Sequence, residues 1–145
     1  MEKGRIMIHF TVREWMNDLV VFVEPDDTVA RALEVMRRRY IHSLIVRRTN
    51  DSPEYGIITS TDICDKIIAQ EKNPNDIKVR DVMNSPLIAV ESTITLKECA
   101  QIMKENKIHH LPVIDGSKEV IGMISASDFL VAAEAMGRAP GDRII

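Results

Sequence analysis

The residues best placed to do chemistry come in two matched sets. Thr59, Ser60, Thr61 and Asp62 follow the apolar run Gly56-Ile57-Ile58. Ser125, Ser127 and Asp128 follow Gly122-Met123-Ile124. A carboxylate flanked by hydroxyls, at the point where a strand runs into a helix, can hold a polar, anionic ligand. Free backbone N–H groups and the positive end of the helix dipole favour anions there. The carboxylate accepts hydrogen bonds from sugar hydroxyls. The same spacing has a second reading. Thr59-x-x-Asp62 and Ser125-x-x-Asp128 both fit a capping box, which satisfies orphan N–H groups with no ligand at all.

Regular elements must position these groups. The motif strands are read at Tyr55 to Ile58 and through Gly122 to Ile124. A helical pattern follows each Asp, with Ile63, Ile67 and Ile68 in the first copy, to about Gln70, and Phe129, Leu130 and Ala133 in the second. Upstream, Val20 to Val23 reads as a short strand and Glu24 to Thr28 as a turn ending in an N-cap. Val29, Ala32, Leu33 and Met36 then form one apolar helical stripe, ending near Arg39. Leu44-Ile45-Val46 reads as a buried strand, and Thr49 to Glu54 as a polar hairpin loop.

The chain then begins again. Lys78-Val79-Arg80-Asp81-Val82-Met83-Asn84 repeats the pattern of Thr11 to Asn17, 67 residues apart. The same offset pairs Val23 with Val90, Thr28 with Thr95, Met36 with Met103 and His42 with His109. After a hairpin loop one residue shorter, the offset is 66 for Gly56 and Gly122 and for Asp62 and Asp128. A match kept through helix, strand and loop is an internal repeat. The organisation read from it is an N-terminal segment (1–10), a first repeat (11–70), a linker (71–77), a second repeat (78–135) and a tail (136–145). Ile6, Ile8 and Phe10 alternate as in an edge strand or an ordered tail, and Ile144 and Ile145 are docking candidates in an otherwise loose C-terminal tail.

Composition narrows the function classes. The chain has 145 residues, 45% hydrophobic and 28% charged, with a net charge of −3. That profile is globular, and it lacks the basic excess expected for general nucleic-acid binding. No apolar run approaches the roughly 20 residues of a membrane span, and Met1 to Phe10 holds no signal-peptide core. Cys64 and Cys99 have no CxxC spacing and read as two buried free thiols of a reducing compartment, so a cytoplasmic location is expected. Neither a metal-ligand cluster nor a nucleophile–base pair is visible, so no catalytic residue and no metal site is assigned. Trp15, which has Val82 as its counterpart, reads as a packing residue.

The ordered set Val79-Arg80-Asp81-Val82-Met83, His109-His110-Leu111-Pro112-Val113 and Gly122 to Asp128 resembles a cystathionine-β-synthase (CBS) domain. Val12 to Met16, His42 to Val46 and Gly56 to Asp62 resemble it again. The resemblance covers about residues 11 to 135. It implies an α+β (mixed α/β) fold of two pseudo-symmetric CBS repeats, each β-α-β-β-α, packed as one CBS pair, also called a Bateman module. It further implies a non-catalytic regulatory module that binds an adenine nucleotide in clefts between the repeats and modulates an effector protein. AMP, ADP and ATP are the expected ligands, with NAD and S-adenosylmethionine also in range. No cofactor is required, and a homodimer is expected.

Carried onto this chain, the resemblance places Asp62 and Asp128 on the ribose hydroxyls. It places Thr59, Thr61, Ser125 and Ser127 towards the ribose or phosphates. Backbone groups near Val20, Val21, Leu87 and Ile88 would read the adenine edge. Ile45, Ile58, Pro112 and Ile124 would flank the ring, and His42, His109 and His110 would approach the phosphates. Further basic candidates are Arg13, Arg80 and the run from Arg37 to Arg39 with Arg47 and Arg48. Ser43 stands where the second repeat has His110, and Ile45 where it has Pro112, so unequal clefts are expected. The competing expectation is a ligand-free dimerisation or scaffold module in which both motifs are only caps.

Overall fold

The computed structural model describes residues 10–137. The strand expected over Ile6 and Ile8 and the tail beyond Gly137 lie outside them. The chain forms two compact units. One is continuous, from Val20 to Leu87; the other joins residues 10–19 with residues 88–137.

In the continuous unit, β1 (Phe22–Val23) leads through α2 (Val29–Arg39) to β2 (Ser43–Val46) and β3 (Gly56–Thr59); the label α1 belongs to Val12–Trp15, in the other unit. The sheet order is β1-β2-β3. The β1–β2 pairing is parallel, because the α2 crossover returns the chain in the same direction, and β2–β3 is an antiparallel hairpin. Thr28 caps α2, its Oγ1 accepting the Arg31 N–H at 3.1 Å. The stripe read from the sequence is the buried face: Val29, Ala32 and Met36 pack on Leu44, Val46 and Ile58. Three arginines end α2, where they meet the negative end of its dipole. The last helix starts earlier than expected. α3 (Ser60–Ile63) already contains Asp62 as its third residue, and a π-helical turn, Cys64–Ile68, follows.

The second unit repeats this plan with β4 (Val90–Glu91), α4 (Leu96–Asn106), β5 (His110–Ile114), β6 (Val120–Ser125) and α5 (Ala126–Gly137). The sheet order is β4-β5-β6 with the same directions, and a bulge lies between Val113 and Ile114. A full capping box, Thr95 with Glu98, opens α4. Met136 and Gly137, assigned to the tail from sequence, complete α5 instead.

The compact units are offset from the sequence repeats. The segment that opens each repeat folds onto the sheet of the other. Val79 and Val82, from a short 3-10 turn at Val79–Asp81, complete the core of the continuous unit. Val12, from α1 (Val12–Trp15), completes the core of the second, where Phe10 and Trp15 stack at 5.2 Å. Asn84 bridges to Ile57 on β3, and Asn17 to Met123 on β6. Each bridge brings a methionine against the motif glycine. A Cβ on Gly56 would stand 2.6 Å from Met83 Sδ, and one on Gly122 would stand 2.7 Å from Met16 Sδ and 2.9 Å from the Asn17 carbonyl. That close approach is why each motif opens on glycine.

Candidate ligand site

The two aspartates occupy equivalent positions with different surroundings. Asp62 is 6% exposed. Its Oδ2 accepts the Thr59 N–H at 2.9 Å and the Thr59 hydroxyl at 3.0 Å, while the Asp62 N–H donates back to Thr59 Oγ1 at 3.3 Å. That is a complete capping box. Asn84 Nδ2 donates to Oδ1 at 3.0 Å and to Oδ2 at 3.2 Å. Lys66 Nζ lies 3.2 Å from Oδ1 and donates to the Val82 carbonyl at 2.7 Å. A carboxylate offers about four lone-pair positions, and here they are taken up by the protein itself.

Asp128 is only half-buried. Its Oδ2 accepts the Ser125 N–H at 2.8 Å and the Ser125 hydroxyl at 3.2 Å. Its Oδ1 has no hydrogen-bond partner among the described residues. The counterparts of the groups around Asp62 are missing or turned away. Ala132 stands in the place of Lys66, and Asn17 Oδ1 accepts the Leu19 N–H at 2.8 Å. The exposed Ser127 places its Oγ 2.8 Å from Ser125 Oγ. Asp128 thus presents an open carboxylate oxygen beside two hydroxyls, at the start of a 12-residue helix.

The remaining sequence candidates fall as follows. The carbonyls of His42 and His109 accept the N–H groups of Ser60 and Ala126, each at 2.9 Å, and so tie each histidine to the start of the last helix of its unit. Both side chains are exposed. His42 lines a groove of about 350 Å³ with Leu33, Met36, Arg37 and Tyr40. His109 lines the matching groove of about 320 Å³, where Lys104 and Lys107 make the wall more basic. His110 opens β5 opposite Ser125, and Thr61 is exposed on α3. The Val21 carbonyl is consumed by the Ile45 N–H at 3.0 Å; Val20 and Leu87 are half-buried, and Ile88 is 47% exposed.

Pro112 and Ile45 are buried at equivalent register positions, facing Met123 and Ile57. Ile58 and Ile124 are fully buried in the cores of the two units. Arg80 is committed to Asp26, with Nη2 at 2.7 Å from Oδ1. Arg38 pairs with Glu34 at 3.1 Å, Arg47 pairs with Glu24 at 3.2 Å and covers Phe22, and Arg48 covers Tyr55. Two groups around Asp62 escaped the sequence reading. Lys66 carried a signal, the i, i+4 spacing from Asp62. Asn84 carried only its repeat-matched partner, Asn17. Among the described residues, no three His, Cys, Asp or Glu side chains come together as a metal site, and no helix is long and apolar enough to cross a membrane.

The profile of the CBS domain family matches residues 12–69 and again residues 79–135. The chain belongs to the CBS domain family. It is a tandem CBS pair with an α+β fold. It is 33% identical over 111 residues to inosine-5'-monophosphate dehydrogenase of Methanocaldococcus jannaschii, covering 77% of this chain and 21% of that enzyme. The chain spans 56% of a relative from Methanopyrus kandleri and 53% of the mitochondrial protein CBSX3 of Arabidopsis thaliana. Among solved structures, the hexameric CBS-CP12 protein from bloom-forming cyanobacteria superposes with a TM-score of 0.82 at 30% identity, covering 93% of this chain and 76% of that one. The CBS domain pair of protein MJ0100, solved with 5'-methylthioadenosine and S-adenosylmethionine, superposes with a TM-score of 0.74 at 21% identity, over 86% and 96% of the two chains. At that identity it shares the fold.

Proposed function

We propose that this CBS pair is a regulatory module that binds an adenosyl ligand through Asp128 and passes its occupancy to an effector protein. The observation that carries the reading is the open Oδ1 of Asp128 beside the Ser125 and Ser127 hydroxyls. A ribose diol can donate to the carboxylate, and the hydroxyls, the α5 N-terminus and His109 and His110 can receive a phosphate or another polar tail. AMP, ADP, ATP, NAD and S-adenosylmethionine are the candidates. The adenosyl ligands of the MJ0100 pair support the class of ligand. Regulation requires different affinity for two arrangements of the protein, since equal affinity shifts nothing. The exposed Leu130 and Val131 on α5, at 73% and 59%, offer a surface for a homodimer, which Leu130→Glu would disrupt in sedimentation. A cytoplasmic setting fits the two free thiols.

The test is a thermal-shift titration of these five compounds against the wild type and Asp128→Ala. Ligand at 100 times its Kd stabilises by about 2.7 kcal/mol, which raises Tm by several degrees. The expected result is a rise with at least one compound that Asp128→Ala abolishes. No rise up to millimolar concentration would favour the ligand-free scaffold, a reading that the closed Asp62 already supports for the first repeat; a rise that survives Asp128→Ala would keep a ligand and place it away from Asp128.

A further inference from the structure

We propose that Lys66 is a built-in occupant of the first-repeat site, so that the pair has one ligand site and not two. The inference rests on the Asp128 reading and adds the residue that decides which repeat binds. The Lys66 ammonium holds Asp62 Oδ1 at 3.2 Å, the Val82 carbonyl at 2.7 Å and Asn84 Oδ1 at 3.5 Å. It is a cation bound by three oxygens of its own unit. A diol approaching Asp62 would have to displace the ammonium and the Asn84 amide together, leaving the Val82 carbonyl without that donor. Position and backbone both favour the plug. Lys66 is one turn beyond Asp62, inside the π-helical turn Cys64–Ile68. In the second repeat the helix continues as regular α5, and the aligned residue is Ala132, buried and without a charge. Asn17, the counterpart of Asn84, is engaged with Leu19. The same capping motif is thus closed in one repeat and open in the other, because the Lys66 ammonium reaches back to Asp62 and reinforces the Asn84 amide there.

The experiment is isothermal titration of the wild type, Asp128→Ala, Lys66→Ala and Lys66→Met with whichever of AMP, ADP, ATP, NAD or S-adenosylmethionine binds most tightly, or with each in turn if the wild type binds none. Lys66→Met keeps the aliphatic stem should Lys66→Ala fail to fold. The expected stoichiometry is one for the wild type, zero for Asp128→Ala and two for a folded Lys66 variant. Two sites in the wild type, or a single site in folded Lys66 variants, would overturn the plug and leave the Asp128 reading standing. A wild type that binds nothing while a Lys66 variant binds one equivalent would overturn the Asp128 reading and keep the plug. Binding by none of the proteins would overturn both.

Discussion

Asp62 and Asp128 have the same place in the same motif, yet one is part of the fold and the other projects beyond it. Around Asp62, a backbone N–H, a hydroxyl, an amide and an ammonium converge on one carboxylate. Around Asp128, among the described residues, only the N–H and hydroxyl of Ser125 do. A capping motif therefore does not decide between cap and ligand group. What decides is whether other elements fill the carboxylate oxygen that the cap leaves over.

The largest expected effect follows from that difference. Asp62→Ala strands the Lys66 ammonium and the Asn84 amide, and removes a cap. Discounted for the partial exposure of Lys66, this should cost about 2–3 kcal/mol. Asp128→Ala removes only the return bond of a cap and should cost about 1 kcal/mol or less. Urea melts of the ligand-free proteins measure both. Equal losses would break the contrast, because Asp128 would then be as structural as Asp62.

The next effect tests the contact that holds each bridge. Gly122→Ala places a Cβ 2.9 Å from the Asn17 carbonyl, against 3.3 Å from the Asn84 carbonyl in Gly56→Ala. Both variants also press on a methionine, whose flexible end can give way; backbone cannot. Overpacking costs about 1–3 kcal/mol, so Gly122→Ala should lie near the top of that range and Gly56→Ala near the bottom. A reversed order in chemical melts would show that the Met16 segment yields more readily than the Met83 segment.

These contacts also show where sequence reading stopped. The repeat, the helix stripes at Val29, Ala32 and Met36, the strands and the caps follow periods and N-cap chemistry that act within a few residues. The capping box at Thr59 was legible for the same reason. The folding of Val79 and Val82 onto the first repeat's core is a long-range choice. The match of Val79 to Val12 says that they are equivalent, not which sheet each one meets. The closure of Asp62 likewise depends on Asn84, 22 residues away along the chain. The apolar pattern alone starts the last helix after Asp62. As a capping-box partner it is instead the third residue inside.

The thiols report on the two units separately. Cys99 is fully buried in the core of the unit that holds Asp128, and burial pushes its thiol up to about 11 from 9.0. Cys64 is exposed. Ellman's reagent should therefore label Cys64 quickly and Cys99 only through opening of its unit. Ligand bound at Asp128 should slow Cys99 and leave Cys64 unchanged; protection of Cys64 alone would move the site to the other unit. The pH dependence has a definite sign. The folded state keeps the Cys99 proton longer than the unfolded chain, so stability is full below about pH 9 and falls as pH rises towards 11. The loss is on the order of 2–3 kcal/mol at most, and Cys99→Ala should flatten it.

The smallest effect belongs to the continuous unit alone. The hydrogen bond and charge of Arg80, with help from Lys78, hold the Asp26 carboxyl below its ordinary value of 3.8. Arg80 lies beside Val79, in the segment that folds back onto the first repeat's core, so this pair ties that segment to the turn before α2. Because the folded value is depressed, the contribution is present above about pH 4 and is lost as pH falls through the folded value. Asp26 is exposed, and water screens the pair. Asp26→Asn should therefore lower Tm slightly at pH 7, and the difference should shrink as pH falls through the folded value. Melts of both proteins along a descending pH series decide it. A difference that persists in acid would mean that Asp26 acts through its hydrogen bonds to Arg80, which an amide oxygen reproduces incompletely, and not through its charge.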